Sequence, residues 1–310
     1  MIVDVAPEAL AGGGDAALDL ADELERGNIV RFGRCPFALP DEEDLAFLRD
    51  VVGERLSRKN VSWYAEDDRL SGLSAVRPVK ERTRRILRQH ADRVRAFLRG
   101  AMPEFMRGVR EGTTSLRPVE SRGRNLSPHA SDELVHVDAG AYGATHGDRI
   151  LRFFVNVNPR EERVWTSKGS FRDLYSAHGG AAGVAPRAGQ PPALATLLDR
   201  ARSRAVQLAT AAFPALRVVD SSPYDRLMRR FHNYMKDAPA FRDSDEGLVR
   251  FGFAPFSAWM VLTDAVSHAC ISGRHALVST FIVPLANCRR RELAPFYILA
   301  AAGDQGAPTE

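Results

Sequence analysis

The strongest constraint on the fold is a change in the hydrophobic pattern near residue 114. Upstream of this point apolar residues recur at helical intervals, whereas downstream they fall in short segments typical of strands. The predicted strands are 114–118, 134–138, 150–158, 248–253, 257–263 and 276–284. Several short strands with a helical flank predict an α+β protein, built as a β-sandwich or jelly roll buttressed by helices.

Helical periodicity dominates the first 110 residues. It predicts helices at 15–25, 41–52 and 79–105, with a short strand at Ile29–Phe32 between the first two. A helical insertion at about 192–236 interrupts the later strands, and Ser222, Pro223 and Asp225 supply a helix start within it. We expect one domain over 1–310, with a mainly helical part (1–110) and a jelly-roll core (111–290) that holds the insertion.

Composition excludes several protein classes. The sequence has no run of about 18 apolar residues and no basic segment followed by an apolar run at its start, so neither a membrane span nor a secretory signal is predicted. Its three cysteines, Cys35, Cys270 and Cys288, are too few and too far apart for a disulfide framework or a four-cysteine zinc site. We therefore expect a cytoplasmic protein.

Arginine supplies most of the positive charge. The chain has 43 basic residues and a formal net charge of +4, and only Lys59, Lys80, Lys168 and Lys236 are lysines. Such a bias is typical either of overall codon usage or of a surface that binds carboxylates or phosphates through guanidinium groups. The long basic helix at 79–105 is amphipathic, so a solvated face explains its arginines and no nucleic-acid partner is expected.

One of three His-x-Asp pairs is placed to bind a metal. The pair at 90–92 lies in a predicted helix, where residues two apart face different ways, and the pair at 146–148 lies in a glycine-rich turn. His136 and Asp138 close a predicted strand, whose alternation puts both side chains on one face. With a distant histidine they form the ligand set of a 2-His-1-carboxylate iron site. His268 is the favoured third ligand and His275 the rival.

The strand after this pair carries polar side chains at alternate positions. Arg152 and Asn156 share one face, and Leu151 and Phe153 the other. If the polar face is outward, it is simply solvated. If it faces the interior of a barrel, it requires a polar ligand, and its place directly after the predicted metal ligands favours a carboxylate co-substrate.

At this point the sequence resembles a known family. It is similar to Fe(II)/2-oxoglutarate-dependent dioxygenases, and in particular to the 3-deoxy-D-manno-oct-2-ulosonic acid (Kdo) hydroxylases of Gram-negative bacteria. The segments that carry the resemblance lie in the same order along most of the chain: 58–60, 114–118, 134–138, 149–159, 163–165, 224–228, 235–236 and 263–268.

The resemblance implies a double-stranded β-helix (jelly-roll) core, with Fe(II) bound by His136, Asp138 and His268. It also implies 2-oxoglutarate and O2 as co-substrates, and hydroxylation at C3 of a Kdo sugar in a lipopolysaccharide or lipid A precursor. The candidate 2-oxoglutarate contacts are Arg117, Arg152, Asn156 and Thr280. The candidate substrate contacts are Arg149, Arg274 and Tyr142. An acidic sugar-lipid substrate would bring the protein to the inner face of the inner membrane as a peripheral partner.

Three departures from the family pattern leave alternatives open. Residues 277–280 contain no arginine where many 2-oxoglutarate enzymes have one after the distal histidine, and segments 139–144 and 274–279 differ from those of Kdo hydroxylases. One alternative is a divergent relative that tailors another small molecule, such as an amino acid or a natural-product intermediate. The other is a non-catalytic jelly-roll protein that binds nucleic acid or lipid.

Overall fold

The computed structural model of the protein describes residues 1–5, 18–118, 120, 128–140, 143–184 and 222–304. In this part of the chain, eleven strands form two sheets. They are β1 (Ile2–Val5), β2 (Ile29–Phe32), β3 (Val61–Tyr64), β4 (Arg69–Ser71), β5 (Arg110–Arg117), β6 (Arg149–Asn156), β7 (Arg163–Ser167), β8 (Val249–Phe253), β9 (Ala258–Leu262), β10 (Ala269–Ser272) and β11 (Ala276–Val283). The major sheet has the order β1-β2-β9-β6-β11-β5-β3-β4 and the minor sheet β10-β7-β8.

Seven α-helices surround these sheets within the described ranges. They are α1 (Leu20–Glu25), α2 (Glu42–Ala46), α3 (Arg77–Ala101), α4 (Phe171–His178), α5 (Pro223–Asp237), α6 (Pro239–Arg242) and α7 (Pro295–Asp304). A π-helical turn, Phe47–Val52, directly continues α2. The predicted start of α5 is confirmed, since Ser222 and Asp225 form a reciprocal capping box and Pro223 occupies the first turn.

The major sheet is buried on both faces, which explains why its central strands are almost wholly apolar. On one face, Phe153 of β6 packs against Phe97 of α3 and against Phe32. On the other face, Phe154 stacks on Trp259 and meets Trp165 of the minor sheet edge-on. Two facing sheets with a helix behind the larger one confirm the predicted jelly-roll architecture.

The N-terminal part contributes more strands to the major sheet than the sequence predicted. Its strands β1 to β4 form both edges of the major sheet, and β3 pairs directly with β5. These strands have only three or four residues each, and β1, β3 and β4 were not predicted. The predicted helix at 192–212 lies outside the described residues.

Segment 134–138 differs from its prediction in a way that matters for the site. Instead of a regular strand, it makes a single antiparallel bridge between His136 and His268. Backbone hydrogen bonds in both directions close this bridge, at 3.1 Å and 2.8 Å. Asp138 is anchored separately, because its backbone N–H donates to the carbonyl of Thr263 at the end of β9. The segment therefore joins the minor sheet to the end of the major sheet.

Candidate active site

Three buried side chains meet where the two sheets are joined. His136, Asp138 and His268 each offer one ligand atom, and these three atoms lie within 4.8 Å of one another. The His136–His268 bridge brings the two rings to a centroid distance of 4.7 Å. Among the described residues, this is the one cluster of at least three such side chains that could hold a metal ion, so the rival His275 is not part of it.

Backbone carbonyls orient both imidazoles. The Nδ1–H of His136 donates to the carbonyl of Leu134 at 2.7 Å, and that of His268 donates to the carbonyl of Val266 at 3.0 Å. A carbonyl can only accept, so each Nδ1 carries the proton and each Nε2 is left as the basic nitrogen. Metal-bound histidines have this arrangement in proteins, where the second nitrogen fixes the ring and its tautomer.

The protonation states of the three side chains also suit a metal. Burial lowers the pKa of His136 and of His268, so both rings are neutral near pH 7. Burial alone would raise the pKa of Asp138, but the guanidinium of Arg152, 2.8 Å from its Oδ2, outweighs this effect together with smaller contributions from His268, His136 and Thr263. The pKa of Asp138 is therefore well below its usual range. Two neutral imidazoles and one carboxylate fit Fe(II) with coordination positions left open.

A polar cavity of about 230 Å³ opens beside the triad. Three basic side chains reach it: Lys59, Arg117 and Arg152. The cavity is lined by Lys59, Asn60, Ser62, Tyr64, Thr113, Ser115, Arg117, Asp132, His136, Asp138, Arg152, Phe154, Trp165, His268 and Cys270. The inward face predicted for Arg152 is therefore present, with Phe154 beside it on the same strand.

A carboxylate links two of these cations. Oδ2 of Asp132 lies 2.5 Å from Nζ of Lys59 and 3.3 Å from Nη1 of Arg117. Burial raises the pKa of Asp132, but the positive charges of Arg117 and Lys59 together lower it by more. The net shift of this pKa is therefore downward. Burial lowers the pKa of Arg117, and Asp132 partly offsets this. Asp132 thus keeps two cations side by side in a poorly solvated cavity.

Two of the four candidate 2-oxoglutarate contacts are not placed for that role. The Asn156 amide donates to the carbonyls of Glu161 and Phe253, and its oxygen accepts from the backbone N–H of Asn158. Asn156 is a structural residue at the end of β6, and the prediction for it is corrected. Thr280 is buried opposite Arg152 in the sheet but does not line the cavity. Arg117 and Arg152 remain the candidates.

The candidate substrate contacts also change. Arg149 is fully buried, and its Nε lies 2.6 Å from Asp264 on the sheet face opposite to Arg152. It cannot reach a ligand in the cavity, and the prediction for it is corrected. Arg274 is exposed in the turn before β11 and does not line the cavity, so the structure does not support it either. Tyr142 lies outside the described residues.

Sequence reasoning missed four residues in and around the cavity. The Trp165 ring stacks on His268 with a centroid distance of 5.2 Å, and the His232 ring meets His136 edge-on at 5.1 Å. Lys59 and Asp132 complete the set. Two signals were available, since Lys59 and Trp165 lie in segments that carry the family resemblance. For Asp132 and His232 the spacing gave no signal.

Comparison with known proteins identifies the family. The profile of the 3-deoxy-D-manno-oct-2-ulosonic acid (Kdo) hydroxylase family matches residues 13–305. The chain belongs to the Kdo hydroxylase family. Among proteins with curated annotation, none matches the sequence significantly. No helix in the described ranges is long and apolar enough to cross a membrane.

Solved structures agree with this family assignment. The Kdo hydroxylase KdoO, a non-heme Fe(II) α-ketoglutarate-dependent dioxygenase, matches in its complex with α-ketoglutarate (2-oxoglutarate) and Fe(III), at a TM-score of 0.78 and 24% identity. That match covers 100% of this chain and 99% of KdoO. KdoO with succinate and Fe(III) and KdoO with cobalt(II) match at 25% identity, with TM-scores of 0.77 and 0.78, and each covers 98% of this chain and 96% of KdoO. The predicted fold and enzyme class are thereby confirmed, and the predicted iron and 2-oxoglutarate are among the groups that KdoO binds in these complexes.

Proposed function

We propose that the protein is an Fe(II)/2-oxoglutarate-dependent hydroxylase that acts at C3 of a Kdo sugar in a lipopolysaccharide or lipid A precursor. The observation that carries this proposal is the preformed His136–Asp138–His268 triad, which opens onto a cavity with three basic side chains. Both co-substrate and substrate are carboxylates, and a cavity of this charge suits them. Family membership supports the choice of Kdo.

Each triad residue has a defined part in this function. His136 and His268 would bind iron through Nε2 and Asp138 through a carboxylate oxygen, while the carbonyls of Leu134 and Val266 hold the rings in place. Iron bound there, with 2-oxoglutarate and O2, would supply the oxidising power to hydroxylate an unactivated carbon, with conversion of 2-oxoglutarate to succinate and CO2. The protein supplies the geometry.

The basic residues and the aromatic wall hold and shield the co-substrate. Arg117 and Arg152 project from β5 and β6 into the same cavity, where a guanidinium can bind a carboxylate bidentately. Phe154 and Trp165 line the same region and contact each other at 4.8 Å. Their rings exclude water, which strengthens the charge interactions inside the cavity.

The test is a single-turnover reaction. Protein is incubated without oxygen with Fe(II), 2-oxoglutarate and Kdo-lipid A, and oxygen is then admitted. We expect equal amounts of succinate and of Kdo that has gained one oxygen at C3, and neither product from a His136→Ala variant. If succinate instead forms only when a different small molecule is supplied, and no Kdo is hydroxylated, the protein is a relative that tailors another substrate.

We also propose that the protein works as a peripheral partner of the inner face of the inner membrane. Met1 and Val249 are 93% and 59% exposed, and they border an apolar groove of about 490 Å³ that also includes Lys168 and Arg250. Exposed apolar side chains beside basic ones suit an anionic lipid surface. Vesicles containing phosphatidylglycerol should retain the protein at low salt. Equal retention by purely zwitterionic vesicles would contradict the role given to the basic residues.

A further inference from the structure

Charged side chains form an ordered series from the metal ligands to the mouth of the cavity. Asp138 contacts Arg152 at 2.8 Å. Beyond them, Arg117 and Lys59 both contact Asp132. The side chain of Lys59 is 23% exposed, whereas those of Arg117 and Arg152 are each 14% exposed. Lys59 is therefore the outermost cation of the series.

The charge balance of the cavity leaves room for one more anion. The described residues of its lining include three cations and two carboxylates, and the two lining histidines add no charge because a histidine binds a metal as a neutral imidazole. Fe(II) adds two positive charges and 2-oxoglutarate two negative charges, so loading both leaves this balance unchanged. Among the described lining residues, basic side chains then still outnumber carboxylates by one, which suits a substrate with a single carboxylate.

The backbone of Lys59 lies farther along the sheet than that of Arg152, although its side chain meets that of Arg117 at Asp132. Arg152 lies on β6, next to the metal ligands, and the major sheet continues from there through β11 and β5 to β3. At a spacing of about 4.8 Å between strands, β3 lies roughly 14 Å from β6. Lys59 precedes β3 by two residues. Arg117 lies between these two positions, on β5.

The wall beside Lys59 carries a group of hydroxyls. Alternate residues of β3 and β5 face the cavity, so Ser62, Thr113 and Ser115 line it, together with Tyr64. Ser62 Oγ lies 2.8 Å from Ser115 Oγ, which lies 3.2 Å from Thr113 Oγ1. We call Ser62, Tyr64, Thr113 and Ser115 the hydroxyl wall. Hydroxyl groups both donate and accept hydrogen bonds, as the hydroxyls of a sugar do.

We propose that Lys59 binds the carboxylate of the sugar-acid substrate and that the hydroxyl wall contacts the sugar hydroxyls. This inference rests on the proposed function and assigns the substrate's place within the same cavity. The ammonium of Lys59 has three donors, so it can keep its contact with Asp132 and still donate to a substrate carboxylate. Asp132 then acts as a positioning residue, because it fixes where Lys59 points.

The test combines a protein variant with a substrate variant. Protein loaded without oxygen with Fe(II) and 2-oxoglutarate is titrated with Kdo-lipid A, or with the same lipid whose Kdo carboxylate is a methyl ester. Binding is followed by the change in visible absorption. Lys59→Met should weaken binding of the acid about 10- to 100-fold, as expected for a lost hydrogen bond to a charged group. The ester should bind the wild-type protein more weakly by a similar factor. The Lys59→Met variant, in contrast, should bind the ester at least as tightly as it binds the acid.

Further variants exclude a general loss of structure. Lys80→Met, an exposed lysine on α3, is the matched control and should bind both lipids like the wild type. Lys59→Arg keeps the positive charge, so it should keep the preference for the acid over the ester. The affinity of Lys59→Met for 2-oxoglutarate should equal that of the wild type. If Lys59→Met retains the full preference for the acid over the ester, or loses 2-oxoglutarate, the assignment of Lys59 is wrong. If the wild type shows no response to Kdo-lipid A, the proposed function itself fails.

Discussion

His90 provides a quantitative test of the difference between a structural and a metal-binding histidine. It lies on α3 within the core, fully buried, and neither ring nitrogen has a hydrogen-bond partner in the described part of the chain. Burial, with a smaller contribution from Arg93, lowers its pKa from 6.5 to about 3. Replacing it by leucine removes two unpaired polar atoms and should stabilise the fold by about 1–3 kcal/mol at pH 7.

The dependence on pH has a definite sign. Below pH 6.5 the unfolded chain binds a proton at His90 and the folded protein does not, so His90 lowers stability progressively as the pH falls toward about 3. At about 1.4 kcal/mol per pH unit, this amounts to roughly 2 kcal/mol at pH 5. The stability gain of His90→Leu should therefore be about 2 kcal/mol larger at pH 5 than at pH 7.

Urea unfolding of the iron-free wild type and variant at both pH values measures this quantity. The remaining histidines titrate in both proteins, so their contributions to the pH dependence of stability cancel. Any steric effect of leucine is independent of pH. His90→Leu should also bind iron like the wild type, because His90 is not in the triad. A gain that is the same at both pH values would refute the conclusion that His90 is buried and neutral.

Three further variants test the site and its corrections. His136→Ala removes a ligand, so its loss of iron affinity should exceed the roughly 10- to 100-fold typical of outer-shell changes, as measured by bound iron per chain. Asp264→Asn leaves the guanidinium of Arg149 buried without its counter-ion and should cost about 3–5 kcal/mol in urea unfolding; wild-type stability would contradict a structural role for the pair. Arg274→Ala should leave the KM for 2-oxoglutarate and for Kdo-lipid A unchanged, and an increase in either would restore Arg274 as a contact.

The parts of the site that depend on local spacing could be predicted from sequence. Alternation along β6 placed Arg152 and Phe154 on the inner face. Arg149 lies on the opposite face, where its Nε pairs with Asp264 inside the protein, so the substrate role expected for it did not follow from alternation. The prediction failed for Asn156 because β6 ends there and the amide is used to hold the following turn.

The parts that depend on long-range pairing could not be predicted. Lys59 reaches the cavity only because β3 pairs with β5, which brings Ser62 next to Ser115 across 53 positions of sequence. Strands as short as β3 and β4 have too few residues for a period-two pattern to stand out. Asp132 contributes through contacts with side chains from two other segments. No local pattern encodes such a network.

The two His-x-Asp pairs at 90–92 and 136–138 show why the motif alone is a weak predictor. On a helix, residues two apart point in different directions, so His90 is buried in the core while Asp92 lies at the surface paired with Arg95. The second pair lies in an irregular segment, where a bridge to His268 fixes the histidine and a backbone bond to β9 fixes the aspartate. A regular strand would hydrogen-bond both residues within one sheet. The metal-binding geometry therefore arises because this segment changes its partner between His136 and Asp138.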